Sequence, residues 1–333
     1  MREVAALAGV SLKTVSRVFN NDRHVTPATR HRVEMALREV NYVPNALATT
    51  FRAGRTAVIG IAVPDIVDPF FAAVSRSVEN FAVAHGMSTL ITSLGDDPSR
   101  ERPTLESMLS RQLSGIIVAP VAPDHAWLQT WAVHTPLVFV DRPPVGLTAD
   151  SFREDDHLGA LLATEHLIEH GHRRIAFIGD TRYLPTTNNR LRGYKDALRK
   201  GHIDFDPMLV TLEAADRDGA RTALDEFWRL PDPPTAVFSS NARSSMAMIP
   251  ALQEHPAAAI SFGDFPMADL LTPSLTVVAQ DPERLGSLAA ARAVDRLRAP
   301  DATYESTTYL PVRLVERESC RVGDETYRRR KRA

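Results

Sequence analysis

From Thr56 onward, short apolar runs alternate with longer segments in which apolar residues recur at helical spacing. The runs "TAVIGIAV", "MSTLITSL" and "SGIIVAP" come first, and "RRIAFIGD", "TAVFSS" and "AAAISFGD" repeat the pattern later in the chain. Strands that are apolar throughout, each followed by a helix, are typical of parallel sheets covered by helices on both faces. The two series, at about 57–150 and 156–278, predict two doubly wound subdomains with a cleft between them.

The first fifty residues have helical spacing instead. Gly9 is placed to end a first helix, Ser11 to cap a second, and Thr26 with Pro27 to begin a third. The residues that should face inward are Val4, Ala5, Ala8, Val15, Val18, Val33, Ala36, Leu37 and Val40. Two helices joined by a short turn that contains Gly predict a helix-turn-helix head, to which we assign residues 1–43.

In that motif, the N-terminal half of the second helix enters the major groove of DNA. The side chains predicted to reach base edges are Leu12, Lys13, Ser16 and Arg17, and those predicted to contact phosphates are Thr14, Arg23, Thr26, Thr29 and Arg30. Residues 1–55 carry a formal charge of +5 and the rest of the chain −7, as expected if only the head meets a polyanion. The alternative is a plain three-helix bundle with scattered arginines.

Several stretches of the chain resemble one family of regulators. "REVAALAGVSLKTVSRVFN", "VTPATRHRVEMALREVNYVPNALA" and "IGIAVPDIVDPFF", followed by "GHRRIAFIGD", "RLRGYKDAL" and "PVRLVERESC", are similar to the lactose-repressor/galactose-repressor (LacI/GalR) family. The resemblance covers essentially the whole chain. It implies a helix-turn-helix head on a periplasmic-binding-protein-like α/β core, and a homodimeric repressor that binds a pseudo-palindromic operator in double-stranded DNA.

The resemblance also implies a domain plan. We expect a hinge helix at 44–55, an N-subdomain at about 57–152 and 281–310, a C-subdomain at about 153–280 and 311–322, and a basic tail at 323–333. In the family, the hinge helix forms on operator DNA and inserts a leucine into the minor groove, and Phe51 occupies that position. Asn45, Ala48 and Arg52 are predicted to contact DNA with it. Alternatively, Phe51 packs against the core.

Polar and aromatic residues follow the predicted strands, where open α/β sheets bind ligands. With the family resemblance, they predict an effector site of Asp68, Phe70, Phe71, Asp141, Arg190, Asn241, Asp264 and Gln280. Acids, amides and an arginine beside aromatic rings suit a small, sugar-like effector that releases the repressor. The alternative is a regulator that depends on a co-repressor, which is a nucleobase, a nucleoside or another small metabolite. Asp68, Ala242 and Gly263 depart from the family's usual residues, so the resemblance does not fix the identity of the ligand.

Arg190 lies on the apolar stripe of its predicted helix, four residues before Tyr194 and seven before Ala197. An inward-facing guanidinium needs a partner. The resemblance assigns it to the effector, whereas the alternative is a buried pair with a carboxylate of the protein.

Catalytic and metal-binding motifs are not indicated, so we expect neither an enzyme nor a cofactor. His166, His170 and His172 have metal-like spacing, but without Cys partners a solvated helix end is favoured and no metal is predicted. The acid pairs Asp96–Asp97 and Asp155–Asp156 lack an adjacent nucleophile or base, which favours cap or loop roles. A sugar-transport protein or sugar-processing enzyme would not explain residues 1–50.

The sequence contains no apolar run of 18 residues, no signal peptide and a single cysteine, Cys320. These features predict a cytoplasmic, nucleoid-associated protein without a membrane partner. Family members usually carry a few residues before the first helix, including a Thr that caps it and an aliphatic residue of the small core, and Met1 falls at that aliphatic position. We expect the natural start to lie upstream; the alternative is a head weakened at its first cap.

Overall fold

The structure is a computed structural model that describes residues 2–19, 25–39, 57–212, 214, 216–300 and 302–321. It divides into two compact units, Met1–Arg55 and Thr56–Ala333. The predicted hinge helix at 44–55, with Asn45, Ala48, Phe51 and Arg52, lies outside the described residues, as do Arg23, Val40 and the tail at 323–333. Within the described part of the chain, no helix is long and apolar enough to cross a membrane.

Within the described residues 2–19 and 25–39, the first unit contains three helices, α1 (Arg2–Leu7), α2 (Leu12–Phe19) and α3 (Pro27–Glu39). Gly9 has φ +59°, the left-handed conformation that ends α1. Ser11 Oγ accepts the amide of Thr14 at 3.1 Å and Thr26 Oγ1 accepts that of Thr29 at 3.3 Å, so both predicted caps are present. The core consists of Val4, Ala5, Ala8, Val15, Val18, Val33 and Ala36, which confirms the predicted inner faces at these positions.

The second unit is built from twelve strands and eight helices within the described residues. The strands are β1 (Val58–Val63), β2 (Ser88–Ser93), β3 (Gly115–Val118), β4 (Leu137–Val140), β5 (Asp150–Glu154), β6 (Ile175–Ile178), β7 (Val210–Thr211), β8 (Ala236–Ser239), β9 (Ala258–Phe262), β10 (Thr276–Ala279), β11 (Thr307–Leu310) and β12 (Arg313–Val315). The helices are α4 (Pro69–Ala84), α5 (Glu101–Leu109), α6 (Gln129–Ala132), α7 (Asp156–Glu169), α8 (Pro185–Lys200), α9 (Arg217–Trp228), α10 (Ala242–Glu254) and α11 (Pro282–Arg298).

The strands form two six-stranded sheets of equivalent topology. The order in the first sheet is β11-β5-β4-β3-β1-β2, and in the second it is β12-β10-β9-β8-β6-β7. Every pairing is parallel except that of β12 with β10. When the strands of each sheet are numbered by their order along the chain and read from the opposite edge, both sheets begin 2-1-3-4-5. This is a doubly wound order, and its switch point lies between the first and third strands. The predicted fold class is therefore confirmed.

The chain passes between the two sheets three times. It crosses after β5, after β10 and between β11 and β12, and β5 remains in the first sheet to Glu154, beyond the boundary expected at 152. Helix α11 then packs against α4 and against strands of the first sheet. Three chain crossings therefore join the two sheet-and-helix halves, which is the connection expected of a hinged pair.

Candidate functional site

A cavity lies between the two halves of the second unit, at the carboxyl ends of both sheets. It encloses about 430 Å³ free of protein atoms, part of it open to solvent. Its lining consists of Asp68, Phe70, Phe71, Asp141, Arg142, Asp180, Thr186, Thr187, Arg190, Asn241, Ala242 and Gln280.

The lining brings together residues that were predicted from separate strand ends. Asp68, Phe70, Phe71, Asp141, Arg190, Asn241 and Gln280 all border the cavity. Asp264 is not part of the lining, which differs from the prediction. The guanidinium of Arg317 donates to its Oδ1 at 3.1 Å and its Oδ2 at 2.6 Å, so both carboxylate oxygens are engaged by a protein partner.

The first half contributes an aromatic wall at the start of α4. Asp68 caps this helix by accepting the amide of Phe70 at 2.9 Å, and Pro69 occupies the first helical position. The cap fixes the rings of Phe70 and Phe71, whose centroids are 5.1 Å apart in an edge-to-face arrangement. The sequence thus places an apolar surface directly beside the half-buried carboxyl group of Asp68.

Arg190, on α8, is the buried cation of the second half. Its Nε and Nη2 lie 2.8 and 2.7 Å from Asp156 Oδ1, and its Nη1 donates to Ser240 O at 2.6 Å. The guanidinium lies 3.8 Å from the ring centroid of Phe262, which stacks against it. The alternative interpretation of Arg190, a buried ion pair with a carboxylate of the protein, is therefore confirmed with Asp156 as the partner. Arg190 also borders the cavity.

Three carboxyl groups, those of Asp141 after β4 and of Glu154 and Asp156 at the end of β5, interact electrostatically with this arginine. Burial raises the pKa of Asp156 to about 6, with Asp141 adding to the effect and Arg190 opposing it. Burial, followed by the charges of Asp141 and Asp156, raises the pKa of Glu154 to about 8. Glu154 Oε1 is also buried without a hydrogen-bond partner in the described part of the chain. At neutral pH, Glu154 is thus mainly protonated, and Asp156 is mainly ionised against Arg190.

Glu154→Gln should reduce the pH dependence of core stability. The folded state keeps a proton on Glu154 that the unfolded chain releases near its ordinary pKa of 4.5. The stability linked to this group is complete below that pH and is lost as pH rises toward and through about 8. Gln stays neutral, so the urea midpoint of the variant should fall less between about pH 5 and 8. Exposed Glu226, replaced by Gln, is the control, and parallel wild-type and Glu154→Gln curves would refute this assignment.

A polar wall comes from the second half. Asp180 Oδ1 accepts the amide of Thr181 at 2.8 Å and the hydroxyl of Thr187 at 2.9 Å. Asn241 Oδ1 caps α10 by accepting the amide of Ser244 at 2.7 Å, which leaves the NH₂ group of Asn241 for a ligand. Thr186 and Thr187, in the first turn of α8, also line the cavity, and the sequence analysis does not include them in the site. Pro185 is a sequence signal for a helix N-terminus at this point.

An ion pair joins the two halves beside the cavity. Arg243, in the first turn of α10, donates from Nη1 to Asp96 Oδ1 at 3.0 Å and from Nη2 to Asp96 Oδ2 at 2.9 Å. Asp96 follows β2 of the first sheet, so this two-point contact spans the gap between the halves.

The neighbouring residue Asp97 caps a 3-10 turn and Asp155 caps α7, which confirms the predicted cap roles for these two acids.

The head presents basic side chains on the outer face of α2. Lys13 and Arg17 are exposed, whereas Val15 and Val18 of the same helix are buried. The hydroxyl of Thr14 lies 2.9 Å from Ser11 Oγ, and Thr26 and Thr29 are joined in the same way. Arg30 Nη1 donates to Val18 O at 3.4 Å, which gives this predicted phosphate contact an additional role inside the head. Leu12 and Ser16 lie on α2, and their side chains are outside the described residues.

Comparison with known proteins gives matches along the chain. The family model described as bacterial regulatory proteins, lacI family, matches residues 1–45, and a periplasmic binding protein-like domain matches residues 164–320. The ribose operon repressor of Haemophilus influenzae is 30% identical over 325 residues, covering 96% of this chain and 98% of the relative. The transcriptional regulator GalR of Salmonella typhimurium is 31% identical over 333 residues, which cover 98% of this chain and 97% of that relative. A solved structure titled as a complex of the regulator CelR with cellobiose has a TM-score of 0.70 and 28% identity, covering 95% and 98%.

Proposed function

We propose that this chain, which belongs to the lacI family of bacterial regulatory proteins, is a ligand-responsive transcriptional repressor. It binds a pseudo-palindromic operator as a homodimer, and a small sugar-like effector releases it. It acts in the cytoplasm, at the nucleoid, and its cleft binds a ligand rather than catalysing a reaction. The observation that carries this proposal is a cleft lined from both halves of the core in a chain that also has a helix-turn-helix head.

The chemistry of the cleft supports a hydroxyl-rich effector. The carboxyl groups of Asp68 and Asp141 and the amides of Asn241 and Gln280 offer acceptors and donors for hydroxyl groups. The rings of Phe70 and Phe71 provide a surface for the apolar face of a sugar ring. The bound cellobiose of the CelR complex gives a related precedent. Asp264 is the least favourable of the proposed contacts, because Arg317 engages both of its oxygens.

The proposed contacts to DNA are the residues predicted on the head and hinge. Lys13 and Arg17, exposed at four-residue spacing on α2, read bases together with Leu12 and Ser16. Thr14, Arg23, Thr26 and Thr29 contact phosphates, and the segment with Asn45, Ala48, Phe51 and Arg52 enters the minor groove. Each copy of a homodimer presents one head to one half-site of the operator.

The mechanism follows from the placement of the cleft across three chain crossings. A ligand that contacts Phe71 in the first half and Arg190 in the second binds the closed arrangement more tightly than an open one. It therefore shifts the population of the two arrangements in proportion to that difference in affinity. Coupling of this shift to the operator is reciprocal, so DNA weakens effector binding by the same factor.

Arg243→Ala should weaken effector binding about 2- to 5-fold, because it removes the ion pair with Asp96 that favours the closed cleft. The effect is modest since both side chains are partly exposed. Titration calorimetry at low and high salt measures it, and the wild-type advantage should shrink at high salt. Arg221→Ala is the matched control, because Arg221 pairs with Glu254 within one half. An unchanged affinity at low salt would mean that the pair does not hold the cleft.

The experiment that tests the effector class is a thermal-shift screen of pentoses, hexoses, disaccharides, nucleosides and nucleobases on the full chain. A sugar that raises the melting temperature progressively as its concentration increases supports the proposal. Stabilisation by a nucleoside or nucleobase alone would contradict the sugar-like effector. The Arg190 variants described in the Discussion then locate the binding compound in this cleft rather than elsewhere on the surface.

A further inference from the structure

Two histidines and a glutamate meet at the C-terminal end of α7, away from the cleft residues. His166 and His170 are one helical turn apart, and their ring centroids are 4.3 Å apart. Glu316, which follows β12, reaches the same point and places its Oε1 3.9 Å from His170 Nε2. One ligand atom of each of these three residues lies within 4.8 Å of the other two.

The histidine nitrogens are available for a ligand. His170 Nδ1 donates to His166 O at 2.9 Å, so in the neutral ring Nε2 carries the free lone pair. This backbone contact also orients the ring, as outer hydrogen bonds do for metal-binding histidines. His166 is 7% exposed, and its Nε2 is buried without a hydrogen-bond partner among the described residues. A buried polar atom without a partner is unusual and calls for an explanation.

The structure changes the interpretation of the histidine cluster in the sequence. His166 is buried rather than solvated, which corrects the expected helix end. His172 is separate, because its Nδ1 lies 2.9 Å from Thr235 Oγ1 and its Nε2 donates to Cys320 O at 3.2 Å. The third group is Glu316, which is distant in sequence and could not be recognised from the spacing of histidines.

We propose that His166, His170 and Glu316 bind a divalent transition-metal ion, with Zn²⁺ as the best match and water completing its coordination. Two imidazoles and one carboxylate are a known three-ligand set for Zn²⁺. Ligand bonds of about 2.0–2.2 Å require donor atoms roughly 3.3–3.6 Å apart, so the three groups must move closer. Glu316 is half-exposed and can supply most of that movement. The bound ion ties the end of α7 to the segment that closes the second sheet.

Arg321 provides a specific competitor within the chain. Its Nη2 lies 3.1 Å from Glu316 Oε1, and its side chain is largely exposed. A cation at the metal site must displace this contact, which contributes little because it is exposed. Removal of the guanidinium should therefore strengthen metal binding, whereas removal of a ligand should weaken it. A nonspecific surface site would not show these opposite responses.

The test is titration of Zn²⁺ into the chelator-treated full chain, with Co²⁺ absorption as a second readout of coordination. We expect one ion per chain, binding at least 10-fold weaker in His170→Ala and in Glu316→Gln, and several-fold tighter in Arg321→Ala. His134→Ala, which changes an exposed histidine elsewhere, should bind as wild type. Melting curves without metal verify that each variant is folded.

Two outcomes would overturn the site. The first is binding that neither His170→Ala nor Glu316→Gln weakens, and the second is a Co²⁺ spectrum that remains that of the hexa-aquo ion. Because the ligands do not border the cleft, Arg190→Lys should leave Zn²⁺ binding unchanged. The experiments can thus refute the proposed metal site without refuting the proposed effector site, and the reverse.

Discussion

Arg190→Met should abolish the response to effector, weakening its binding by about 100-fold or more while leaving operator binding by the head intact. Truncation of a buried, hydrogen-bonded charged side chain that contacts a ligand typically reduces the binding free energy by about 2–5 kcal/mol. This corresponds to a loss of affinity of roughly 30- to several-thousand-fold. The loss is large because Arg190 is 5% exposed and already fixed by Asp156, Ser240 and Phe262. It therefore offers a pre-oriented cation to the ligand without a cost in side-chain entropy.

The same contacts determine the controls for Arg190. Removal of the guanidinium leaves Asp156 buried without its partner, which destabilises the second half of the core. Arg190→Lys retains the charge but loses the planar fork, so it should fold and still bind at least about 10-fold more weakly. Arg192→Ala, at an exposed position of the same helix, should bind as wild type. Wild-type affinity in folded Arg190→Lys would indicate that this arginine only pairs with the protein.

Arg17→Ala should weaken binding to the specific operator by about 10- to 100-fold for each head, with a much smaller effect on unrelated DNA. A side chain that reads a base edge contributes roughly 1–3 kcal/mol of discrimination, whereas a phosphate contact weakens binding to all sequences alike. Arg17 is suited to the first role because it is exposed on α2 one turn after Lys13. Fluorescence anisotropy with operator and scrambled duplexes at two salt concentrations separates the two effects.

Arg32→Ala is the matched control, because Arg32 is exposed on α3, outside the proposed reading helix. It should lower affinity for both duplexes slightly and leave their ratio unchanged. Equal losses on operator and scrambled DNA in Arg17→Ala would assign Arg17 to the phosphates instead.

The head was predictable because its signals are local. Ser11 caps α2 through the amide of Thr14, Gly9 adopts a positive φ, and both features depend on neighbours within three or four residues. The strand order was predictable in outline, since apolar runs followed by helices leave few topologies open. The strand ends then identified most of the cavity lining, because parallel strands deliver their carboxyl ends to one edge of each sheet.

Pairings between distant segments could not be predicted. Asp264 was assigned to the ligand, but Arg317, 53 positions later, engages it. Asp96 and Arg243 are 147 positions apart, and only the packing of two halves brings them together. Glu154 lies within an ordinary run of charges, "REDD", and its raised pKa depends on burial that the sequence does not display. The sequence therefore located the polar groups without indicating which of them were already paired.

We propose that one ligand controls the affinity of this protein for one DNA sequence. The most direct test selects an operator from a randomised duplex library and titrates the full chain onto it, with and without the compound found by thermal shift. We predict two chains per operator, affinity well above that for scrambled DNA, and a clear loss of affinity when the effector is added. Equal affinity for operator and scrambled duplexes, or an effector that leaves operator affinity unchanged or raises it, would contradict an inducible repressor.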